Sequence, residues 1–171
     1  QARRRAGNRI ITTKTEHPAV LEPCAYMEKQ GFEVVYIDVD SRGCIDLEQL
    51  RSEINDNTIL ISVMHVNNEL GSINPIAEIS KLKGNALFHS DAVQSYGKVD
   101  INAGGTDIDM ISVSGHKIHG PKGIGAIYVR KGVNVNPYIM GGGQEKNMRS
   151  GTENVPAIAG FGVAADISYT N

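Results

Sequence analysis

The stretch TILISVM, which runs from Thr58 to Met64, is the run of residues that decides the fold. Its apolar and β-branched side chains follow one another closely, and this pattern predicts a buried strand. Similar short runs lie on both sides of it and alternate with amphipathic stretches. The other predicted strands cover residues 9–13, 33–37, 86–89, 110–113 and 125–130, and the predicted helices cover residues 18–30, 46–54, 75–82 and 155–168.

The alternation of strands and helices predicts an α/β fold in three layers, a mostly parallel sheet with helices on both faces. Only about ten residues separate Val113 from Gly125, which is fewer than the roughly twelve that a parallel crossover needs. We therefore expect the last strand to run antiparallel to its neighbour. Asp46 is expected to cap the second helix at its N-terminus.

Composition and charge narrow the class of protein. The 171 residues are 40% hydrophobic and 21% charged, with a formal net charge of −2. This balance offers no broad basic surface, so no nucleic-acid partner is expected. No apolar run approaches the ~20 residues that cross a bilayer, so no membrane partner is expected. The two cysteines, Cys24 and Cys44, lack metal-ligand spacing and favour a reducing, cytoplasmic location.

Polar residues follow four of the predicted strands, at positions 15–17, 66–69, 91–94 and 114–117. The carboxyl ends of parallel strands meet at one edge of a sheet, and ligands bind in the crevice beyond that edge. The sequence therefore predicts a single binding region built from these four segments.

The segment SVSGHKIHGPKGIG, residues 112–125, places Lys117 among glycines directly after an apolar strand. A phosphate-binding loop is one interpretation, but Pro121 interrupts the pattern and Gly123 replaces the hydroxyl residue that would bind Mg²⁺. A lysine that forms a Schiff base is the other interpretation. Such an amine needs a partly desolvated or cationic environment, which the neighbouring His116 suits.

A pyridoxal-type cofactor also needs a carboxylate at its ring nitrogen, and Asp91, one predicted strand earlier, is well placed to provide it. A metal site built on His116 and His119 has no third ligand nearby in the sequence, so no metal is expected. We interpret His65, His89 and His119 as structural residues.

Five motifs occur in order along nearly the whole chain: TEHPAV, MHVNNELG, HSDAVQSYGK, SVSGHKIHGPKGIGAIYV and GGGQEKNMRSGTENVP. Together they resemble the cysteine desulfurases, the class V branch of the fold-type I enzymes that use pyridoxal 5′-phosphate. The resemblance implies that L-cysteine is converted into L-alanine while its sulfur passes to an enzyme cysteine as a persulfide, for iron–sulfur cluster or thio-cofactor synthesis. It also implies sulfur-acceptor or scaffold proteins as partners. Selenocysteine lyases and other class V enzymes share these motifs, and a scaffold fragment that keeps the fold is the non-enzymatic alternative.

The resemblance also assigns roles to residues around the cofactor ring. Lys117 would form the Schiff base and later carry protons, and His17 would stack on the pyridine ring and assist proton transfer. Asp91 would pair with the ring nitrogen. Gln94 would donate a hydrogen bond to the phenolic oxygen, and Asn68 would contact that oxygen and the substrate carboxylate.

The same resemblance places the cofactor phosphate at Ser114 and His116. Thr152 would reach the phosphate bound by the partner subunit, which implies a homodimer.

Each of these residues also has a structural interpretation. These are a helix N-terminal position for His17, turn or cap positions for Asp91 and Gln94, a loop position for Asn68, a strand-end hydroxyl for Ser114, a cap for Thr152 and a surface position for Lys117. Their joint placement at one edge of the sheet favours the functional interpretation.

Chains of this family are longer, so the resemblance implies that residues 1–171 are an incomplete large domain. A phosphate-binding loop is expected before residue 1. A small domain with the nucleophilic cysteine and a substrate-binding arginine is expected after residue 171. Cys24, on an apolar helix face, and Cys44, near a turn, are interpreted as structural. We therefore expect the chain to be inactive alone.

Two further expectations concern the ends of elements. Residues 125–130 are expected to present an unpaired sheet edge, because the family places another strand beside them. The connection from Lys81 to Asn85 is expected to be shorter than in the family, through a deletion or an omitted loop.

Overall fold

The structure, a computed structural model, describes residues 3–170 as ten helices and strands joined by short turns. In chain order they are β1 (Arg9–Thr13), α1 (Pro18–Lys29), β2 (Glu33–Ile37), α2 (Leu47–Glu53), β3 (Thr58–Ser62), α3 (Ile76–Leu82), β4 (Leu87–Asp91), β5 (Met110–Ser114), β6 (Gly125–Val129) and α4 (Val155–Thr170). Two short 3₁₀ turns cover Gly115–Ile118 and Gln144–Asn147.

The strands form one six-stranded sheet in the order β2-β1-β3-β4-β5-β6. The pairs from β2 to β5 are parallel, whereas β6 runs antiparallel to β5, with Ser114 opposite Gly125 and Met110 opposite Val129. The predicted mostly parallel α/β sheet with an antiparallel last strand is therefore confirmed.

Helices cover both faces of the sheet and create a core on each side. The larger core joins Leu50 of α2 and Ile79 of α3 to strand residues such as Ile61, all fully buried. A smaller cluster under α1 includes Ile10 and Cys24. The alternation of apolar residues along the strands thus produces the three layers.

The caps of the first two helices come from side chains at their N-termini. Asp46 accepts hydrogen bonds from the backbone amides of Glu48 and Gln49, both at 3.0 Å, so the predicted cap of α2 is confirmed. His17 caps α1, and Pro18 occupies the first helical position, where its missing N–H costs nothing. None of the helices in residues 3–170 has the length and apolarity to cross a membrane.

Two strand ends differ from prediction and shape the edge of the sheet. β3 ends at Ser62 rather than at residue 64. The amides of Val63 and His65 still donate to the carbonyls of His89 and Asp91 in β4, whereas the amide of Met64 donates to the carboxylate of Glu16 instead of to a strand. β4 continues through Asp91, because it keeps pairing with β5 up to Ser112. Asp91 is therefore the last residue of a strand rather than the first residue after one.

The short connection between α3 and β4 is closed by a tight turn. The amide of Ala86 donates to the carbonyl of Lys83 at 3.0 Å, and Gly84 adopts a left-handed φ of +55°. The ammonium of Lys83 also contacts Asp109 at 2.6 Å, and the same carboxylate accepts the amide of Phe88 at 2.8 Å. These contacts anchor the start of β4.

Candidate active site

A cavity of about 330 Å³ lies at the carboxyl edge of the parallel strands, within the ~300–1,000 Å³ typical of small-molecule sites. It brings together seven of the eight predicted site residues. The lining residues are His17, Ala19, Met64, Val66, Asn68, Asp91, Val93, Gln94, Ser114, His116 and Lys117. Thr152, the eighth, is exposed and does not line this cavity. The clustering follows from the parallel sheet, while the roles of the individual residues stay predictions.

Lys117 reaches the cavity from the 3₁₀ turn that follows β5. Its neighbour Ile118 is 3% exposed and anchors the turn in the core, whereas Lys117 is exposed at the cavity wall. A Cβ atom on Gly115 would lie 3.2 Å from the ring of Phe161 in α4, and one on Gly120 would lie 2.9 Å from the carbonyl of Gly115. The glycines around Lys117 therefore let the turn close on itself and pack against α4.

Asp91 enters the cavity at the end of β4. Its Oδ1 atom accepts the backbone amide of Val93 at 2.9 Å, which fixes the carboxylate at the start of the following turn. Gln94 lies in the same turn, and among residues 3–170 its side chain makes no hydrogen bond. Asp91 thus uses one oxygen in a turn and faces the cavity with its carboxylate.

The two adjacent asparagines after β3 have different tasks. Asn67 is buried and closes the loop: its Oδ1 accepts the amides of Glu69 and Leu70 at 2.9 and 2.8 Å, and its Nδ2 donates to the carbonyl of Thr15 at 2.9 Å. Asn68 is exposed and lines the cavity. The loop role considered for Asn68 therefore belongs to Asn67.

His17 combines a structural and a site position. Its Nδ1 atom accepts the backbone amide of Ala19 at 3.1 Å. A backbone N–H can only donate, so Nδ1 carries the lone pair and the ring proton of the neutral form lies on Nε2. The helix-terminal interpretation and the functional interpretation are thus compatible for this residue.

Ser114 and His116 form a pair on the other side of the cavity. The hydroxyl of Ser114 and the Nδ1 atom of His116 are 2.7 Å apart. In either direction of this hydrogen bond the neutral pair keeps one donor for an anion, the hydroxyl of Ser114 or the Nε2–H of His116. The pair is therefore suited to a phosphate group.

Glu16 does not line the cavity but is hydrogen-bonded to the backbone of Met64, which does, and the sequence analysis misses it. It is 4% exposed, and its Oε1 atom accepts the hydroxyl of Thr13 at 2.9 Å and the amide of Met64 at 2.7 Å. Its Oε2 atom is buried without a hydrogen-bond partner. Burial, and to a smaller degree the Asp91 carboxylate, raises the pKa of Glu16 to about 7. A glutamate next to a helix N-cap is usually solvated, so nothing in the sequence indicated that Glu16 is buried.

His89, two residues before Asp91 in β4, links three strands. Its Nδ1 atom lies 2.8 Å from the hydroxyl of Ser62 in β3, and its Nε2 atom lies 2.9 Å from the hydroxyl of Ser112 in β5. Burial lowers the pKa of His89, and Asp91 opposes this effect more weakly. The ring is therefore neutral at pH 7 and supports the strand that carries Asp91.

Cys24 lacks the properties of a nucleophile. Burial raises the pKa of Cys24 to about 11, so its thiol stays protonated at neutral pH. The Sγ atom of Cys44 lies 3.7 Å from the carbonyl of Ile73, as a weak donor. Within the described part of the chain, no group of three or more metal-ligating side chains could hold a metal ion.

The chain is similar to known proteins over almost its whole length. The model of the family described as Aminotransferase class-V matches residues 1–170. "Cysteine desulfurase IscS" of Dictyoglomus turgidum is 49% identical over 164 residues, which cover 95% of this chain and 42% of that protein. "Cysteine desulfurase IscS" of Rickettsia typhi is 52% identical over 166 residues, which cover 95% of this chain and 40% of that protein.

Solved structures of other proteins are also similar to this chain over almost its whole length. One described as "NIFS-LIKE PROTEIN" superposes with a TM-score of 0.96 at 43% identity, covering 99% of this chain and 47% of that chain. One described as "SspA in complex with cysteine" superposes with a TM-score of 0.92 at 44% identity, covering 96% of this chain and 49% of that chain. The chain thus spans less than half the length of these relatives.

Proposed function

Since the chain belongs to the class V aminotransferase family, we propose that it forms the cofactor-binding core of a cysteine desulfurase. Enzymes of this family depend on pyridoxal 5′-phosphate. The proposed reaction converts L-cysteine into L-alanine and passes the sulfur to an enzyme cysteine as a persulfide. The observation that carries the proposal is the convergence of Asp91, His17 and Lys117 on one cavity.

The donor set of the cavity fits pyridoxal phosphate. Asp91 offers a carboxylate to a cationic ring nitrogen, and Lys117 offers an amine to the cofactor carbonyl. The paired Ser114 hydroxyl and His116 ring offer a donor to the phosphate. The imidazole of His17 offers a flat surface for stacking against the ring.

Asp91, His17 and Lys117 each have a separate role in the proposed proton chemistry. When bound, pyridoxal phosphate supplies a carbonyl that bonds to amines and a ring that withdraws electrons from the bonds of the amino acid. Asp91 holds negative charge where the ring nitrogen is positive. His17 donates from Nε2, because Nδ1 is engaged by Ala19. The Lys117 amine, on its short turn, takes and returns a proton in the same space.

Two side-chain amides of the cavity, those of Asn68 and Gln94, are free to orient the substrate and the cofactor. Asn68 and Gln94 each offer an N–H₂ donor and a carbonyl acceptor, and neither side chain is engaged elsewhere in residues 3–170. Asn68 would hold the substrate carboxylate, and Gln94 would hold the phenolic oxygen of the cofactor.

The sulfur-carrying cysteine and further cofactor contacts lie outside the 171 residues in this proposal. The raised pKa of Cys24 supports this, because a persulfide forms on a thiolate. Thr152 does not line the cavity of its own chain and would contact the phosphate bound by the partner subunit of a homodimer. Sulfur-acceptor or scaffold proteins of the cytoplasm then receive the sulfur.

The test is a desulfurase assay on the protein expressed from its complete gene. L-Alanine is measured after incubation with L-cysteine, and L-selenocysteine serves as the second substrate. We expect Lys117→Ala to abolish alanine formation and Lys122→Ala, a change in the same loop, to leave it intact. Near-normal activity of Lys117→Ala would refute the assignment. A strong preference for L-selenocysteine would make the protein a selenocysteine lyase.

A further inference from the structure

Two of the turns that line the cavity rest against the same helix, α4. The lysine turn, residues 115–120, carries Lys117, and the glutamine turn, residues 92–98, carries Gln94. Among residues 3–170, the lining of the cavity includes none from α4. Any influence of α4 on the site therefore passes through these two turns.

The buried side of α4 has one large side chain, that of Phe161. Residues that are buried or half-buried recur every three or four positions along the helix, as expected for a helix that packs on one side. They are Ala157, Gly160, Phe161, Ala164, Ala165 and Ser168. The other five are small, so the ring of Phe161 is the part of this face that reaches furthest from the helix.

The ring of Phe161 contacts both turns. A Cβ atom on Gly115 would lie 3.2 Å from the ring, so the backbone that begins the lysine turn lies directly against it. The ring of Tyr96 in the glutamine turn meets it edge to face, with the ring centroids 6.0 Å apart and the planes at 66°. One side chain thus contacts the chain two residues before Lys117 and two residues after Gln94.

A second contact joins the same three elements at Gly97 of the glutamine turn. Its φ of +72° is left-handed, which favours glycine. A Cβ atom there would lie 2.7 Å from the Cβ atom of Ser168 in α4 and 3.1 Å from the Cγ2 atom of Ile118 in the lysine turn. The glutamine turn therefore packs against α4 and the lysine turn together, and a larger residue at this position would push them apart.

We propose that Phe161 is a positioning residue of the cofactor site, which holds the lysine turn and the glutamine turn at a fixed separation. This inference rests on the proposed function, in which Lys117 bonds to the carbonyl of pyridoxal phosphate and Gln94 holds its phenolic oxygen. Those two groups are attached to neighbouring atoms of the cofactor ring, so the two side chains must meet the ring close together. A misplacement of about 1 Å can cost about 100-fold in rate.

Three variants of α4 separate this role from general stabilisation. Phe161→Leu keeps an apolar side chain on the buried face but removes the ring. Tyr169→Leu removes a ring that contacts the glutamine turn, since it lies 5.6 Å from the ring of Tyr96 and its hydroxyl accepts the amide of Gly97 at 3.4 Å. Val163→Ala shortens a side chain that is 59% exposed and is the matched control.

Hydrogen exchange in the cofactor-free protein, expressed from its complete gene, reports on each turn separately. The amide of Gly115 donates to the carbonyl of Ile124 at 3.0 Å and reports on the lysine turn. The amide of Tyr96 donates to the carbonyl of Ala92 at 2.8 Å and reports on the glutamine turn. Each amide exchanges faster when its own turn opens more often.

In Phe161→Leu we expect both reporter amides to exchange about fivefold faster, because both turns lose the same support. In Tyr169→Leu only the amide of the glutamine turn should exchange faster, and in Val163→Ala neither should change. Unchanged exchange in Phe161→Leu would overturn the proposal. An equal rise in the amides of β1 would also overturn it, because Phe161 would then stabilise the whole domain rather than the two turns.

The second measurement is a titration with pyridoxal phosphate, followed by absorbance. If Phe161 acts on the cofactor through Gln94, the effects of changing both residues are not additive. Gln94→Ala should weaken the affinity about tenfold in the wild type but only about threefold in Phe161→Leu. Additive effects would overturn the proposal. A protein that binds no pyridoxal phosphate would refute the proposed function and the cofactor role of Phe161, while faster exchange in both turns would still support their joint attachment to α4.

Discussion

The Nδ1 atom of His17 accepts the backbone amide of Ala19 at 3.1 Å, so one side chain both caps α1 and lines the cavity. The cap fixes the ring position, and it also fixes the tautomer, because the proton must lie on Nε2. The cap of α1 and the proposed proton chemistry of the site therefore depend on the same side chain.

Two substitutions separate the cap from the ring of His17. Asparagine is a good N-cap, so His17→Asn should keep the free energy of unfolding within about 0.5 kcal/mol of the wild type, whereas His17→Ala should lower it by about 1 kcal/mol. Both should reduce the rate of alanine formation about 100-fold, because neither provides an imidazole N–H. Urea unfolding and steady-state kinetics measure the two effects. Wild-type turnover in His17→Asn would contradict the role of the ring.

The raised pKa of Glu16 predicts a stability that falls with rising pH. The folded protein keeps the proton up to about pH 7, whereas the unfolded chain loses it near the usual value of 4.5. Ionisation of the folded form is therefore the costly step, and Glu16→Gln avoids it. From pH 5 to pH 8, the free energy of unfolding of the wild type should fall by roughly 2–3 kcal/mol relative to Glu16→Gln. Urea unfolding at several pH values measures this, and parallel curves for the two proteins would contradict it.

His89 predicts the opposite pH dependence. The folded protein holds this ring neutral, so acidification below the usual histidine pKa of 6.5 protonates it in the unfolded chain first and lowers stability. His89→Ala should remove this pH dependence. It should also lower the free energy of unfolding by about 2 kcal/mol at pH 7, because it leaves the hydroxyls of Ser62 and Ser112 without their partner. Ser112→Ala removes only the contact with Nε2 of His89 and should lower the free energy of unfolding by about 1 kcal/mol. Unfolding by urea at pH 5.5 and 7 tests both, and an unchanged stability of His89→Ala would contradict the account.

The edge of the sheet at β6 predicts self-association of the 171-residue chain. In residues 3–170, β6 pairs with β5 alone, and its Ile127 is 51% exposed. Unpaired edges with apolar side chains recruit other strands. Ile127→Lys should therefore shift the chain towards the monomer in light scattering, whereas Tyr26→Lys, which changes an exposed residue of α1, should not. A wild-type chain that stays monomeric at high concentration would refute this prediction.

Much of the site could be predicted from the sequence because it depends on strand order. The parallel sheet brings strand ends together wherever the strands are correctly placed, and this suffices for Asp91 and Lys117. Contacts that close in three dimensions could not be predicted. The burial of Glu16 depends on the amide of Met64, and the histidine between Ser62 and Ser112 depends on the register of three strands.

The same distinction explains the errors at strand ends. Apolar residues continue to Met64, so the pattern extends β3 too far, while the polar residues Ser90 and Asp91 hide the continuation of β4. In both cases hydrogen-bond partners from other segments decide where the strand stops. The pattern of side chains alone carries no information about those partners.

Covalent labelling of Lys117 tests the central claim most directly. The purified protein is incubated with pyridoxal phosphate and treated with borohydride, which makes the bond between a lysine amine and the cofactor permanent. Peptide mass spectrometry then locates the modified residue. The account predicts stoichiometric labelling of Lys117 and loss of that label in Lys117→Arg, with Lys122 in the same loop unmodified. Labelling of a different lysine, or labelling spread over surface lysines without preference, would contradict it.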